Sequence, residues 1–539
     1  MESLNNKILY GGTIITINKA QPYVEAIGIK GERIIAVGNL EDVKLKMGGN
    51  SILIDLKGNT LLPGFIDCHM HPMSFINHLL NPDLTNVKSL DELQAQLKEE
   101  SKKRNEDEFI IAYNFNEEKF EEAILPTRWD LDEACLNHPV FVLRYDGHVG
   151  IANTKALLLA ELDEQTIVPE GGEIRKDKIG KLTGVISEKA LNLIFSSISI
   201  PDDELIKVAA TETSKYLAQR GLTSIHGVIN ADSRFKEDHR KTDEFSIYYS
   251  IQNNLWQDCC VFVETEYPEK FIELTKKFPQ KGESENSLKI GGLKLYLDGS
   301  FGAKTACMFE PFTDTPEECG FCVIKEEDIY EKMKIAHNNS SQIIIHAIGD
   351  KANRIAADLY KKLLTEFPRN DHRHRIEHAS MLTDDVIKDM ANYGIIASCQ
   401  PPFITSEYNW IAKRIGEDRC NYTYPMKSIV NAGVLLASGS DCPVEDPHPI
   451  FGLHALVTRN DFVPDECLSM EEALKSYTIN AAYAAFEEDI KGSIEVGKLA
   501  DLVILDKNPL QISEDKIREI TILETIVKGE TIYKLENNY

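Results

Sequence analysis

Short apolar runs separated by amphipathic stretches fill the middle of this chain. Eight of them read as buried strands: 63–68, 221–226, 259–264, 291–298, 342–346, 373–378, 394–399 and 433–440. Runs apolar on both faces suit parallel strands covered from either side. Helical periodicity separates most of them, at 203–219, 327–338, 350–366 and 383–392. Strand–helix alternation with eight strands predicts an α/β fold, a (β/α)8 TIM-like barrel.

The two ends are patterned differently. Residues 7–58 hold short strand-like runs punctuated by turns, such as Thr13–Ile17 and Ile34–Val37. They read as a small antiparallel unit. Matching runs recur at Leu502–Leu505, Ile520–Leu523 and Thr525–Gly529. Neither end is long enough to bury much surface alone. The economical prediction is one small β-sandwich domain built from both termini, 1–58 and 486–539, around a barrel at 59–485. Two unrelated terminal caps are the alternative.

One interval breaks the rhythm. About 150 residues separate the first and second barrel strands. We read 75–215 as a large insertion with its own apolar run at 139–144. Insertions that follow a barrel strand lie over the mouth of the barrel, so this one is predicted to form a lid or substrate wall.

Composition narrows the partners. The 539 residues carry a net charge of −27, with acidic residues spread along the chain. That balance disfavours nucleic acid and anionic membranes. No run approaches the length of a membrane span. The N-terminus lacks the pattern of a signal peptide. The spacings of the eleven cysteines are read as showing no CxxC zinc pattern. Together these predict a reducing, cytoplasmic setting with free thiols.

The chemistry gathers at strand ends. His69 and His71 follow the first apolar run, two residues apart, so alternate side chains emerge together as a pair suited to a divalent metal. Lys294 lies on the fourth strand, His346 ends the fifth, His378 the sixth and Asp441 the eighth. Barrel active sites sit at these C-terminal ends. A bare ammonium at Lys294 is costly to bury. Carboxylated by CO2, the same lysine becomes an anion able to bridge two cations; pairing with Asp298 is the alternative. Asp441 can touch a metal and also serve as the catalytic base, taking the proton of an attacking water and passing it to the leaving group. Glu377 points to the strand face opposite His378, so of the two His378 is the expected ligand.

The segments PGFIDCHMHP, IIIHAIGD, RIEHAS, SGSDCP and GSIEVGKLADLVILD resemble signatures of the amidohydrolase superfamily. LKLYLDGSFGAKTA, RYDGHVGIANTKAL and the long insertion resemble its N-substituted formamide deformylase-like branch, amidohydrolase family 3. The resemblance covers nearly the whole chain. It implies hydrolysis of a non-peptide C–N bond, in an amide or an N-formyl or N-acyl compound, by a metal-bound hydroxide. The family's ligands carry over onto His69, His71, Lys294, His346, His378 and Asp441. Two zinc ions are expected, with manganese or iron also suited to this mixed N/O set. Where the branch usually has Ser-Leu-Gly-Ser/Ala-Arg, this chain has Ser300-Phe301-Gly302-Ala303-Lys304. That departure touches the pocket and no ligand.

Weaker candidates surround these. His148 lies in a segment that lines the active site in the family, and with Asp298, Arg375 and His226 it is a candidate substrate contact. Asp298 and Arg375 also suit positions behind the ligands. Gln400-Pro401-Pro402 is a candidate rim, and His372, His374, His448 and His454 read as surface or loop histidines. A one-metal deaminase on the same barrel is the second reading. The lysine on strand four and the lack of a glutamate in His346-Ala347-Ile348-Gly349 count against it. A non-catalytic scaffold would have lost a ligand, and none is missing. The expected partner is a small amide-like molecule. A homodimer is the commonest closed assembly, and nothing in the chain sharpens that expectation. Fold analogy gives a reaction class and leaves the substrate open.

Overall fold

The computed structural model describes residues 6–105, 108–121, 123–198, 203–232, 243–281 and 288–536. At its centre eight parallel strands pair in chain order. They are β1 (Phe65–Met70), β2 (Leu222–Asn230), β3 (Asp258–Glu264), β4 (Leu288–Tyr296), β5 (Gln342–Ala347), β6 (Arg375–His378), β7 (Ile396–Cys399) and β8 (Leu436–Ser438). All eight fall on the apolar runs. β1, β2, β5, β6, β7 and β8 are buried along their whole length. A fully buried Ile or Val contributes about 1.5–3 kcal/mol, so these runs have little choice but the interior.

The ring closes past the end of β8. The Asp441 N–H donates to His69 O at 2.7 Å, and the His71 N–H to Cys442 O at 2.8 Å. Gly439 makes this seam possible, because a Cβ there would lie 2.5 Å from the His69 nitrogen. The outer helices lock onto the strands. Helix Asp350–Glu366 buries Ala352, Ala356, Tyr360 and Leu363, a stripe at helical spacing. The Tyr360 hydroxyl contacts Ile343 O at 3.1 Å and Arg375 O at 2.8 Å, tying that helix to β5 and β6.

Both chain ends join one eight-stranded sheet. Strand Thr60–Pro63 is its hinge, antiparallel to Leu502–Leu505 and parallel to Asn6–Ile15. The N-terminal part is therefore mixed and not purely antiparallel. Helix Leu40–Met47 carries the chain back, so Ile52–Asp55 returns parallel to Asn6–Ile15. At the other end the runs at 520–523 and 525–529 merge into one strand, Ile522–Val527. Its hairpin partner Glu530–Lys534 is too polar to stand out as a strand.

The interval after β1 holds a five-stranded sheet. Its order is Gly172–Lys176, Leu182–Glu188, Val149–Ala152, Val140–Arg144 and Ile110–Phe115. Residues 106–107, 122 and 199–202 of this interval lie outside the described residues. The tight connection from Val140–Arg144 to Val149–Ala152 carries His148, and Leu182–Glu188 ends in Glu188. Both project toward the mouth of the barrel.

His372 and His374 are interior and not at the surface. They lead into β6, where His374 stacks on Tyr360 at 5.3 Å and accepts the Ile343 N–H at 3.0 Å. His372 bonds Tyr393 O at 2.8 Å. His448 and His454 are half-buried. No helix among the described residues is long and apolar enough to cross a membrane.

Candidate metal centre and active-site cavity

Three of the proposed ligands meet at the seam. His69 Nε2 and His71 Nε2 lie 3.3 and 3.2 Å from Asp441 Oδ1. Donor atoms of all three fall within 4.8 Å of one another. The His346 and His378 rings form a second group, 4.3 Å apart, with His378 5.1 Å from the His69 ring. Lys294 Nζ stands 4.5 Å over the Tyr296 ring. The register of β4 and β5 sets Tyr296 beside His346. Asp441 and His378 both hold positive φ, 62° and 68°. Such a conformation costs a non-glycine residue about 1–3 kcal/mol and clusters at functional sites.

The donor atoms are unsatisfied. Lys294 Nζ, His69 Nε2, His378 Nδ1 and Asp441 Oδ1 are buried without a hydrogen-bond partner. Asp298 does not pair with Lys294, since it accepts backbone N–H groups from Cys307, Ile348 and Gly349 at 2.9, 3.0 and 2.8 Å. Burial therefore lowers the Lys294 ammonium to about 8, against the pull of Glu377 and Asp441. Burial also holds His346 and His378 well below the ordinary imidazole value, so both are neutral. His346 Nε2 donates to Gly299 O at 3.1 Å, which leaves its Nδ1 lone pair free. His69 behaves differently. Burial and Lys294 lower its pKa, yet Glu377 and Asp441 outweigh them and raise it. Burial works against the Asp441 carboxylate, but His69 and His71 hold it well below its usual range. The seam is built to hold positive charge. Mixed N/O donors left without partners fit a divalent cation.

Glu377 supports the site from beneath the ligands. His69 Nδ1 donates to it, as do Arg375 through Nε and Nη2 (2.6 and 3.0 Å) and Ser398 Oγ (2.7 Å). The positive φ of His378 breaks strand alternation at the end of β6. Both Glu377 and its neighbour then serve the same site, one from below and one beside it. Asp67 supports the seam similarly, accepting the His69 and Ser440 N–H groups at 3.0 and 3.1 Å. Burial raises its pKa to about 6.

Above the donors opens a cavity of about 420 Å³, reached by His71, Lys294, His346, His378 and Asp441. The insertion supplies its opposite wall through Tyr113, Tyr145, His148 and Glu188. His148 Nδ1 pairs with Glu188 at 3.0 Å, and its ring lies 5.4 Å from that of His346. Burial opposes charge on this imidazole, but Glu188 prevails and raises it to about 9.

The sequence pattern of the Amidohydrolase family matches residues 53–533. The chain belongs to that family. It is 31% identical to Protein LONG AFTER FAR-RED 3 of Arabidopsis thaliana, over 98% of this chain and 91% of that one. It is 26% identical to N-substituted formamide deformylase of Arthrobacter pascens, over 99% of both. An uncharacterized metal-dependent hydrolase from Pyrococcus horikoshii OT3 superposes with a TM-score of 0.75 at 28% identity, covering 95% of this chain and 99% of that one. The resemblance read from the motifs is borne out, and with it a hydrolase of carbon–nitrogen bonds that depends on a divalent metal.

Three substrate-contact candidates of this amidohydrolase sit elsewhere. Arg375 and His226 lie beneath the ligands, 3.2 Å from each other. Neither they nor Asp298 line the cavity, and nor do Gln400, Pro401 and Pro402. Arg375 and Asp298 instead brace the ligand-bearing elements, Arg375 through Glu377 and Asp298 through the turn after β5. Of that group His148 alone reaches the cavity wall. The sequence reading gave Glu377 no role and did not single out Glu188 or Tyr145. Arg375 lies two residues before Glu377, a same-face pair that offered a signal for it. Tyr145 stands in the same family-like segment as His148, which offered a signal for it, whereas Glu188 had none, because only the insertion's packing brings it to the barrel.

Proposed function

We propose that this amidohydrolase cleaves a small N-formyl or N-acyl amine at its C–N bond. Two divalent ions, zinc first and manganese or iron also suited, would be held by His69, His71, Lys294, His346, His378 and Asp441. The observation that carries this reading is Lys294: its nitrogen is buried among imidazoles and a carboxylate with no hydrogen-bond partner. A lysine with its pKa lowered to about 8 holds a substantial neutral fraction near pH 7.5. The neutral amine can attack CO2, forming an N–C bond and releasing one proton, which leaves an anionic carbamate that would be able to hold divalent cations.

Ions bound there would supply Lewis acidity, polarising the substrate carbonyl and acidifying water. Asp441 is placed to take a proton from the attacking water and return it to the departing nitrogen. Glu377 fixes the His69 tautomer by accepting from Nδ1, so that Nε2 points to the seam. His148, charged and anchored by Glu188, is placed to donate a hydrogen bond to the substrate from the insertion side. The Arthrobacter relative's name supports the N-formyl class. Eleven free cysteines support a cytoplasmic setting.

The test is metal content by elemental mass spectrometry, with bicarbonate present, for wild type and Lys294→Ala, together with a screen of N-formyl and N-acyl amines. Close to two ions in wild type, falling in the variant, with turnover in the screen, supports the proposal. One ion in both would replace the bridged pair with a one-metal hydrolase or deaminase.

A further inference from the structure

Between β4 and β5 the chain contains Cys319-Gly320-Phe321-Cys322, a single CxxC spacing that the expectation of no such pattern passed over. The fold sets this motif against a third cysteine. Cys322 Sγ lies 2.7 Å from Cys307 Sγ. Cys307 is buried, Cys322 is half-buried and Cys319 is exposed. The Cys319 sulfur faces its neighbour's carbonyl, Gly320 O, at 3.9 Å. Among the described residues these three thiols do not converge as metal ligands do; that arrangement occurs at His69, His71 and Asp441.

The pair is held together by backbone. The Val323 N–H donates to Leu297 O at 2.8 Å, and the Met308 N–H to Cys319 O at 2.9 Å. Gly320, at φ +63°, lets the two segments touch, since a Cβ there would lie 1.9 Å from Ala306 O. Both partners adjoin the active site. The Cys307 N–H donates to Asp298, and Cys307 O accepts from Ala352 at the start of the helix after β5. Val323, next to Cys322, lines the cavity.

We propose that Cys307 and Cys322 form a reversible disulfide that staples two segments of the β4–β5 loop together beside the cavity wall. The co-reactant is a low-molecular-weight disulfide. The Cys322 thiol loses its proton and attacks one sulfur of that disulfide, giving a mixed disulfide and releasing one small thiolate. The Cys307 thiol loses its proton and attacks Cys322 Sγ, releasing the second. Two protein thiols are oxidised and one small disulfide is reduced to two thiols. Access sets the order, because Cys322 is the more exposed of the pair. In a reducing compartment such a bond would be transient and regulatory.

The experiment treats the full-length, metal-loaded protein with oxidised glutathione, blocks remaining thiols with N-ethylmaleimide and maps peptides without reduction. The expected product is a Cys307–Cys322 cross-linked peptide, removed by dithiothreitol, retained in Cys319→Ser and lost in Cys322→Ser. Cys307→Ala should instead trap glutathione on Cys322. Trypsin should cut the oxidised protein more slowly within 303–325 than the reduced protein. Recovery of Cys307 and Cys322 as alkylated thiols, or a Cys319–Cys322 bond in their place, overturns the assignment. Equal rates of cutting overturn the staple. The wild-type map decides the bond even if a variant fails to fold.

Discussion

His69 Nδ1 donates to Glu377, and the same carboxylate is gripped by two guanidinium nitrogens of Arg375. All three side chains are fully buried. One ionic network under the barrel mouth thus sets which nitrogen of His69 faces the seam, where Nε2 lies 3.3 Å from Asp441.

Glu377→Gln should weaken metal binding by about 10- to 100-fold, the usual cost of removing the partner that orients a ligand histidine. It should also cost about 3–5 kcal/mol of stability, since Arg375 would be left buried without its counter-ion. Metal titration and chemical denaturation measure the two separately. Unchanged metal affinity would show that His69 needs no such anchor.

Gly439→Ala tests the seam. A methyl there would meet the His69 nitrogen at 2.5 Å and Asp67 Oδ1 at 2.7 Å. Overpacking of this kind costs about 1–3 kcal/mol. It should also push Asp441 away from His69 and His71, so metal content should fall together with the melting temperature. A stable variant with full metal content would refute the close approach.

His148 and Glu188 give a pH signature. Glu188 raises the imidazole from 6.5 to about 9 against its burial. A raised pKa means that the pair's stabilisation is fully present below about 6.5 and is lost as pH rises through about 9. Wild type should therefore lose stability across that window relative to Glu188→Gln. Denaturation at fixed pH values checks this; parallel curves would mean that the imidazole is not charged in the fold.

Glu407 gives a second signature. Burial raises its carboxyl from 4.5 to about 8, while the Tyr424 hydroxyl donates to it. Its neutral form is favoured by the fold, so the stabilisation is complete below 4.5 and disappears as pH rises through about 8. Glu407→Gln should flatten the alkaline loss of stability, read as melting temperature from pH 6 to 9.

The apolar runs by themselves determined the barrel. Segments such as Gln342–Ala347, buried at every position, can be accommodated only as interior strands, and eight of them alternating with helices leave one economical closure. The same logic placed His69, His71, Lys294, His346, His378 and Asp441 at one end, because a parallel barrel collects the C-terminal ends of its strands there. Tertiary structure decided the rest. Alternation set Glu377 on the strand face opposite His378, and only the packing of Arg375, Ser398 and His69 around it shows that it supports the same site. His372 and His374 look like surface residues in sequence, and only the approach of Tyr360 and Tyr393 makes them interior. Glu188 and Tyr145 reach the cavity from a sheet and its turn that lie a hundred or more residues before β4. Cys307 and Cys322 meet because Gly320 lets their segments touch. Periodicity reports which face of an element is buried. Which side chains share a site depends on long-range packing, and a one-dimensional pattern carries no record of that.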